Sequence, residues 1–146
     1  MARLEDLRPL TSRRPTRLQA LSAALRRLPR LHTLRVNGNG FGGDGCAYLV
    51  SALRATKSVT RLEMCRNRLC LDGAEALASL IKFSAHLEEL FVDDNLLGDD
   101  GVVHLAGAVV HCRTLRLLSL SHNAIGPRGA DALCHGLYHN MAVKVR

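Results

Sequence analysis

The stretch Leu87–Asn95, LEELFVDDN, decides the fold. It carries apolar residues at its first, fourth and sixth positions and an asparagine at its ninth, which reads L-x-x-L-x-L-x-x-N. Leu90 and Val92 are two residues apart, so on an extended chain they point the same way, as on a strand with one buried face. One period earlier the pattern stands as Val59, Leu62, Met64 and Asn67, and one period before that as Leu31, Leu34, Val36 and Asn39. One period later it stands as Leu115, Leu118, Leu120 and Asn123. Every member is displaced by the same step from one copy to the next.

The rest of each unit repeats in phase. Two residues after the asparagine comes an apolar residue: Phe41, Leu69, Leu97 and Ile125. Six residues after it comes a glycine: Gly45, Gly73, Gly101 and Gly129. Paired apolar positions follow at helical spacing: Leu49 with Leu53, Leu77 with Ile81, Leu105 with Val109, Leu133 with Leu137. Helices are expected from Gly45 to Thr56, Gly73 to Ser84, Gly101 to Cys112 and Gly129 to Asn140, with Asp44, Asp72 and Asp100 at their starts. The asparagine amide is expected to bond loop backbone where no strand ladder can reach. Each unit is then one parallel strand and one returning helix, and stacking buries the face that neither could bury alone.

This motif resembles the leucine-rich-repeat family, and the 28-residue unit with a full helix is similar to its ribonuclease-inhibitor-like subclass. The resemblance covers residues 17–142. It implies an α/β solenoid, a horseshoe segment with a concave parallel sheet and convex helices. It also implies partner binding, usually of protein, through the concave face and the rims. Similar repeats form the sensor end of nucleotide-binding immune receptors and the body of a Ran GTPase activator. A GTPase-activating or regulatory role is therefore an alternative, although no catalytic arginine of that activator can be matched here and its acidic tail is missing.

The chain reads as a single domain of 146 residues. Full repeats span 31–58, 59–86, 87–114 and 115–142, and 143–146 start a further one. Residues 1–30 form an atypical basic cap or partial repeat, with eight Arg against two acids. Within it, Leu21 and Leu25 fall one period before Leu49 and Leu53, so Arg17 to Leu28 reads as the helix half of an incomplete unit, while Leu4, Leu7 and Leu10 are out of phase. Val143 opens a fifth strand and Arg146 falls where leucine is expected. An open sheet edge is a liability. A piece of a longer protein is the preferred reading, a short protective strand the other.

Composition narrows the function. The net charge of +7 is concentrated in the cap, because residues 31–146 carry twelve bases and eleven acids. Cap residues Arg13, Arg14, Arg17, Arg26, Arg27 and Arg30 would be the ones to touch nucleic acid phosphates. No aromatic residues interleave with them for base stacking, so nucleic acid stays an alternative behind a protein partner. Five cysteines without CxxC spacing suit reduced thiols in the cytoplasm, or in the nucleus. No apolar run is long enough for a membrane span. The glycines of Asn37 to Gly45 lack the lysine of a phosphate loop, and no Ser, His and acid are brought together by the register. His111, His135 and His139 share the convex surface but read as solvated helix residues. No enzyme, metal or cofactor is expected.

The expected function is a non-enzymatic scaffold that binds a protein through its concave face. The sheet-exposed positions of the second to fourth units supply the candidate site: Arg61, Glu63, Arg66, Glu89, Phe91, Asp94, Leu117 and His122. Parallel strands about 4.8 Å apart put Arg35 beside Glu63, Arg61 beside Glu89, and Arg66 beside Asp94. Phe91 would supply the apolar centre of that polar grid.

Overall fold

The computed structural model describes residues 20–146 apart from 22 and 26. The N-terminal arginines 13, 14, 17 and 26, with Leu4, Leu7 and Leu10, lie outside the described residues. Leu21 and Leu25 are helical and buried, as their phase with Leu49 and Leu53 implies.

Strands and helices then alternate: β1 (Thr33–Arg35), α1 (Gly42–Arg54), β2 (Arg61–Glu63), α2 (Leu71–Phe83), β3 (Glu89–Phe91), α3 (Gly98–His111), β4 (Leu117–Ser119), α4 (Pro127–His139) and β5 (Lys144–Val145). The strands form one parallel sheet in sequence order. This is the solenoid of a leucine-rich-repeat horseshoe, with the sheet on the concave face. From β1 to β4 each strand pairs with its neighbour exactly one repeat along, Leu34 with Leu62, Leu62 with Leu90, Leu90 with Leu118. That register stacks these four leucines into a fully buried row. The inward helix faces close over it, with Leu49, Leu53, Leu77, Ile81, Leu105 and Val109 buried. Leu133 and Leu137 are half-buried, α4 having α3 as its one neighbour among the described helices.

The helices begin two or three residues before the in-phase glycines. Those glycines mark close packing inside the first turn. A Cβ at Gly45 would stand 2.6 Å from Phe41 Cβ, one at Gly73 3.1 Å from Leu69 Cβ, and one at Gly101 2.9 Å from Ala74 Cβ. The repeated apolar residue and the repeated glycine are thus two halves of one contact. Asp44, Asp72 and Asp100 lie in first turns and are not the N-cap residues, and the N-cap residues of α1–α4 make no side-chain capping bond. Helix ends are satisfied from the neighbouring unit instead. Gly42 N donates to Asn67 O and Gly98 N to Asn123 O, both at 2.9 Å. Asp99 Oδ1 accepts from Gly126 N and Gly129 N, joining α3 to the start of α4.

The asparagines form the expected ladder. Asn95 Oδ1 accepts from Asn67 N at 2.9 Å and Leu69 N at 3.0 Å, while its Nδ2 donates to Met64 O and Val92 O. Asn67 Oδ1 accepts from Asn39 N, and Asn123 Oδ1 from Leu97 N at 3.4 Å. Asn39 Oδ1 is buried and accepts no hydrogen bond among the described residues.

The last strand departs from the expected register. Leu118 pairs with Val145, one residue short of the full repeat, so Arg146 does not occupy the leucine position. A one-residue slip exchanges inward and outward side chains. Here it brings valine over the core and leaves Arg146 exposed. Asn140 fixes the shorter turn by donating from Nδ2 to Val109 O and Cys112 O.

Candidate functional site

The candidate residues stand on or beside the concave sheet because strand alternation turns the central leucine of each strand inward and its two flanking residues outward. The register brings Arg61 beside Glu89 and sets Glu63 between Arg35 and Phe91. Glu63 is the hub. Its Oε1 accepts from Arg61 Nε at 2.9 Å and Arg35 Nε at 3.1 Å, and its Oε2 accepts from Asn37 Nδ2 at 3.3 Å. Arg61 reaches onward from Nη1 to Glu89. Its guanidinium carbon lies 4.3 Å from the centroid of the Phe91 ring. Phe91 is consequently half-buried beneath a cation.

The electrostatics follow from this geometry. Burial opposes the charge on Glu63, whose side chain is only 13% exposed, but the hydrogen bonds from Arg61 and Arg35, the Arg35 charge and Asn37 outweigh it and hold the carboxyl below its usual range. Burial likewise opposes the charge on Arg61, and bonds and charge from Glu63 and then Glu89 outweigh it and push its pKa up. Both groups are locked in their charged forms near neutrality. A pair so locked is unsuited to shuttling protons and well suited to presenting fixed charge.

Of the eight candidates, Arg61, Glu63, Glu89 and Phe91 form one cluster. Arg66 and Asp94 form a separate exposed pair, Arg66 Nε to Asp94 Oδ2 at 3.2 Å, beyond the strand ends. Both have left-handed backbone, at φ of 58° and 54°, as does His122 at 56°. Leu117 is half-buried in register with Glu89 and Lys144. His122 stands apart, on the wall of a cleft of about 480 Å³ lined also by Leu120, Ile125, Leu133 and Val145.

Residues outside the expected set complete the surface. Asn37 Oδ1 accepts from Cys65 N, and Asp93 Oδ1 accepts from Ser119 Oγ at 2.7 Å and Ser121 N at 2.8 Å. These are the fifth and seventh positions of their units, so comparing equivalent positions across units for hydrogen-bond complements, as well as for charge, would have found them. Among the described residues no group of three His, Cys, Asp or Glu could hold a metal ion, and no helix is long and apolar enough to cross a membrane.

A parallel β/α solenoid with a buried asparagine ladder and a polar concave sheet is the architecture of a leucine-rich-repeat protein. The family model described as Leucine Rich repeat matches residues 29–50 and 111–134. Two solved structures share the fold. One is titled leiomodin-1 actin-binding site 2, with a TM-score of 0.80 and 17% identity over 88% of this chain and 76% of that one. The other is the tropomodulin C-terminal domain from Caenorhabditis elegans, with a TM-score of 0.76 and 15% identity over 88% of this chain and 80% of that one. No curated protein matches the chain.

Proposed function

We propose that the chain is a non-enzymatic scaffold that binds a protein partner through its concave face, with Arg61, Glu63, Arg66, Glu89, Phe91, Asp94, Leu117 and His122 as the contact set. The observation that carries this reading is the Arg61 guanidinium, held by Glu63 and Glu89 while it covers Phe91. A cluster tied to adjacent strands loses little entropy when a partner arrives, so its contacts convert well into affinity. Phe91 and Arg61 supply area and fixed charge together, the combination found at binding hot spots. The repeat layout, four 28-residue units each with a full helix, supports the ribonuclease-inhibitor-like subclass. The five unpaired cysteines support a reducing compartment, the cytoplasm or nucleus.

Actin is the first partner to try, because one structure of the same fold is titled as an actin-binding site. Co-sedimentation and calorimetry with actin, then with partners captured by the intact chain, provide the test. Phe91→Ala should weaken binding by at least about 2 kcal/mol, the usual hot-spot threshold, without loss of fold. Glu63→Lys should weaken it less and change its salt dependence. A partner bound equally well by the parent and the Phe91 variant would move the site off the concave face.

A further inference from the structure

Every strand runs one way and every helix returns, so all helix-to-strand turns fall on one rim and all strand-to-helix turns on the other. The charge of the repeat body divides between those rims. From the last turn of each helix to the residue before the next strand stand Arg54, Lys57, Lys82, Arg113 and Arg116, against a single acid, Glu88. All five cations are exposed, and among the described residues none has a carboxylate partner. The opposite rim carries seven Asp and three Arg between residues 37 and 131.

Helix dipoles account for part of this, because acids suit first turns and bases suit last turns. That covers Arg54 and Lys82. Lys57, Arg113 and Arg116 lie outside the helices. Nor does the dipole explain the apolar residues on the same rim. Phe83 is 60% exposed, Tyr138 82% and Met141 92%. The ring of Phe83 has the Arg54 guanidinium carbon 5.1 Å from its centroid and Lys82 Nζ 5.6 Å from it.

We infer that the helix-to-strand rim docks an acidic polypeptide segment of a partner protein, with Phe83 as the apolar anchor between Arg54 and Lys82. This surface is distinct from the concave face and does not depend on it. Carboxylates of the segment pair with the uncompensated cations, and an apolar side chain between them covers the exposed part of Phe83. The field of the rim steers the encounter, and the anchor sets the position. A nucleic acid fits less well. The next exposed aromatic along the rim, Tyr138, is two units away, roughly 16–20 Å at usual helix spacing, too far for consecutive bases.

The test uses the full chain and a labelled peptide that alternates Glu with Leu, followed by fluorescence anisotropy. A Gln–Leu peptide, single-stranded RNA, duplex DNA and anionic phospholipid vesicles serve as competitors. The acidic peptide should bind, weaken as salt rises, and lose about tenfold or more in affinity in the Arg54→Glu, Lys82→Glu, Arg113→Glu variant. Phe83→Ala should cost about tenfold at unchanged salt dependence. Reversing Arg68 and Arg128 on the other rim should leave the affinity within about twofold. All these positions are exposed, and thermal melts confirm that the variants fold. No binding of the acidic peptide at low salt overturns the proposal. So does equal loss from the two charge reversals, an unchanged Phe83 variant, or tighter binding of RNA, DNA or vesicles.

Discussion

The asparagine ladder makes a graded prediction, because its four members do unequal work. Among the described residues, Asn95 Oδ1 accepts two backbone N–H groups, Asn67 and Asn123 accept one each, and Asn39 accepts none. Most carbonyls that the amides serve keep a second donor when one asparagine is removed. Val36 O is shared by Asn39 and Asn67, Val92 O by Asn95 and Asn123, and Cys65 O also receives Gly38 N. The N–H groups have no such reserve. Each buried donor left unpaired costs about 1–3 kcal/mol. Asn95→Ala should therefore cost about 3 kcal/mol, Asn67→Ala and Asn123→Ala about 1–2 kcal/mol each, and Asn39→Ala below about 1 kcal/mol. Urea unfolding of the four variants, with shared slopes, gives the comparison. Asn123 lies near one end of the described solenoid and Asn67 in its middle, so similar costs for these two would show that bond count outweighs position. Equal costs for all four, or a cost for Asn39 matching that of Asn95, would refute the assignment of stability to the accepted N–H groups.

Three further outcomes are expected. Ala124 is exposed at a left-handed φ of 54°, so Ala124→Gly should raise stability by about 0.5–1 kcal/mol, seen as a melting temperature higher by a few degrees; a lower melting temperature would contradict the strain argument. The Glu63 carboxyl titrates below its ordinary value when folded, so its contribution is complete above the ordinary pKa of about 4.3 and is lost as pH falls through the lowered value. The stability gap between the parent and Glu63→Gln should shrink on acidification, and a gap independent of pH would show that the ion pairs contribute nothing. Burial pushes the Cys46 thiol up to about 12 and the Cys65 thiol up to about 11. Timed alkylation without reductant should modify the exposed Cys70 and Cys134 first and Cys46 only on unfolding, and five thiols in all; early Cys46 modification would show that the helix packing opens readily.

How much of this was legible in the sequence depends on what the repeat controls. Strand starts at Thr33, Arg61, Glu89 and Leu117 follow from the nine-residue motif alone, since two in-phase apolar residues allow only one strand orientation. The three cross-strand charge pairs follow from the same register. Helix starts were less legible, because the in-phase glycines look like the first helical residues when their reason is lack of room beside Phe41, Leu69 and Ala74. The covering of Phe91 by Arg61 was not legible at all. Periodicity shows that Phe91 faces out, but whether a neighbouring side chain folds over it depends on rotamers the pattern does not encode.

The same limit explains why charge totals mislead. A body of twelve bases and eleven acids reads as neutral, and a neutral sum directs attention to the arginine-rich first thirty residues. Folding converts position within the 28-residue unit into position on the solenoid, and bases and acids occupy different parts of that unit. The late positions hold Arg54, Lys57, Lys82 and Arg113, with Arg116 just after them at the second position of the next unit; the middle positions hold Asp44, Asp72, Asp99 and Asp100. Stacking multiplies this small bias along the axis, because equivalent residues from successive units line one rim. A solenoid can thus carry two strongly charged edges with almost no net charge between them. The sequence quantity that reports on its surface is charge summed by phase within the repeat, and summed that way the rim with the bare cations is also the one that exposes Phe83.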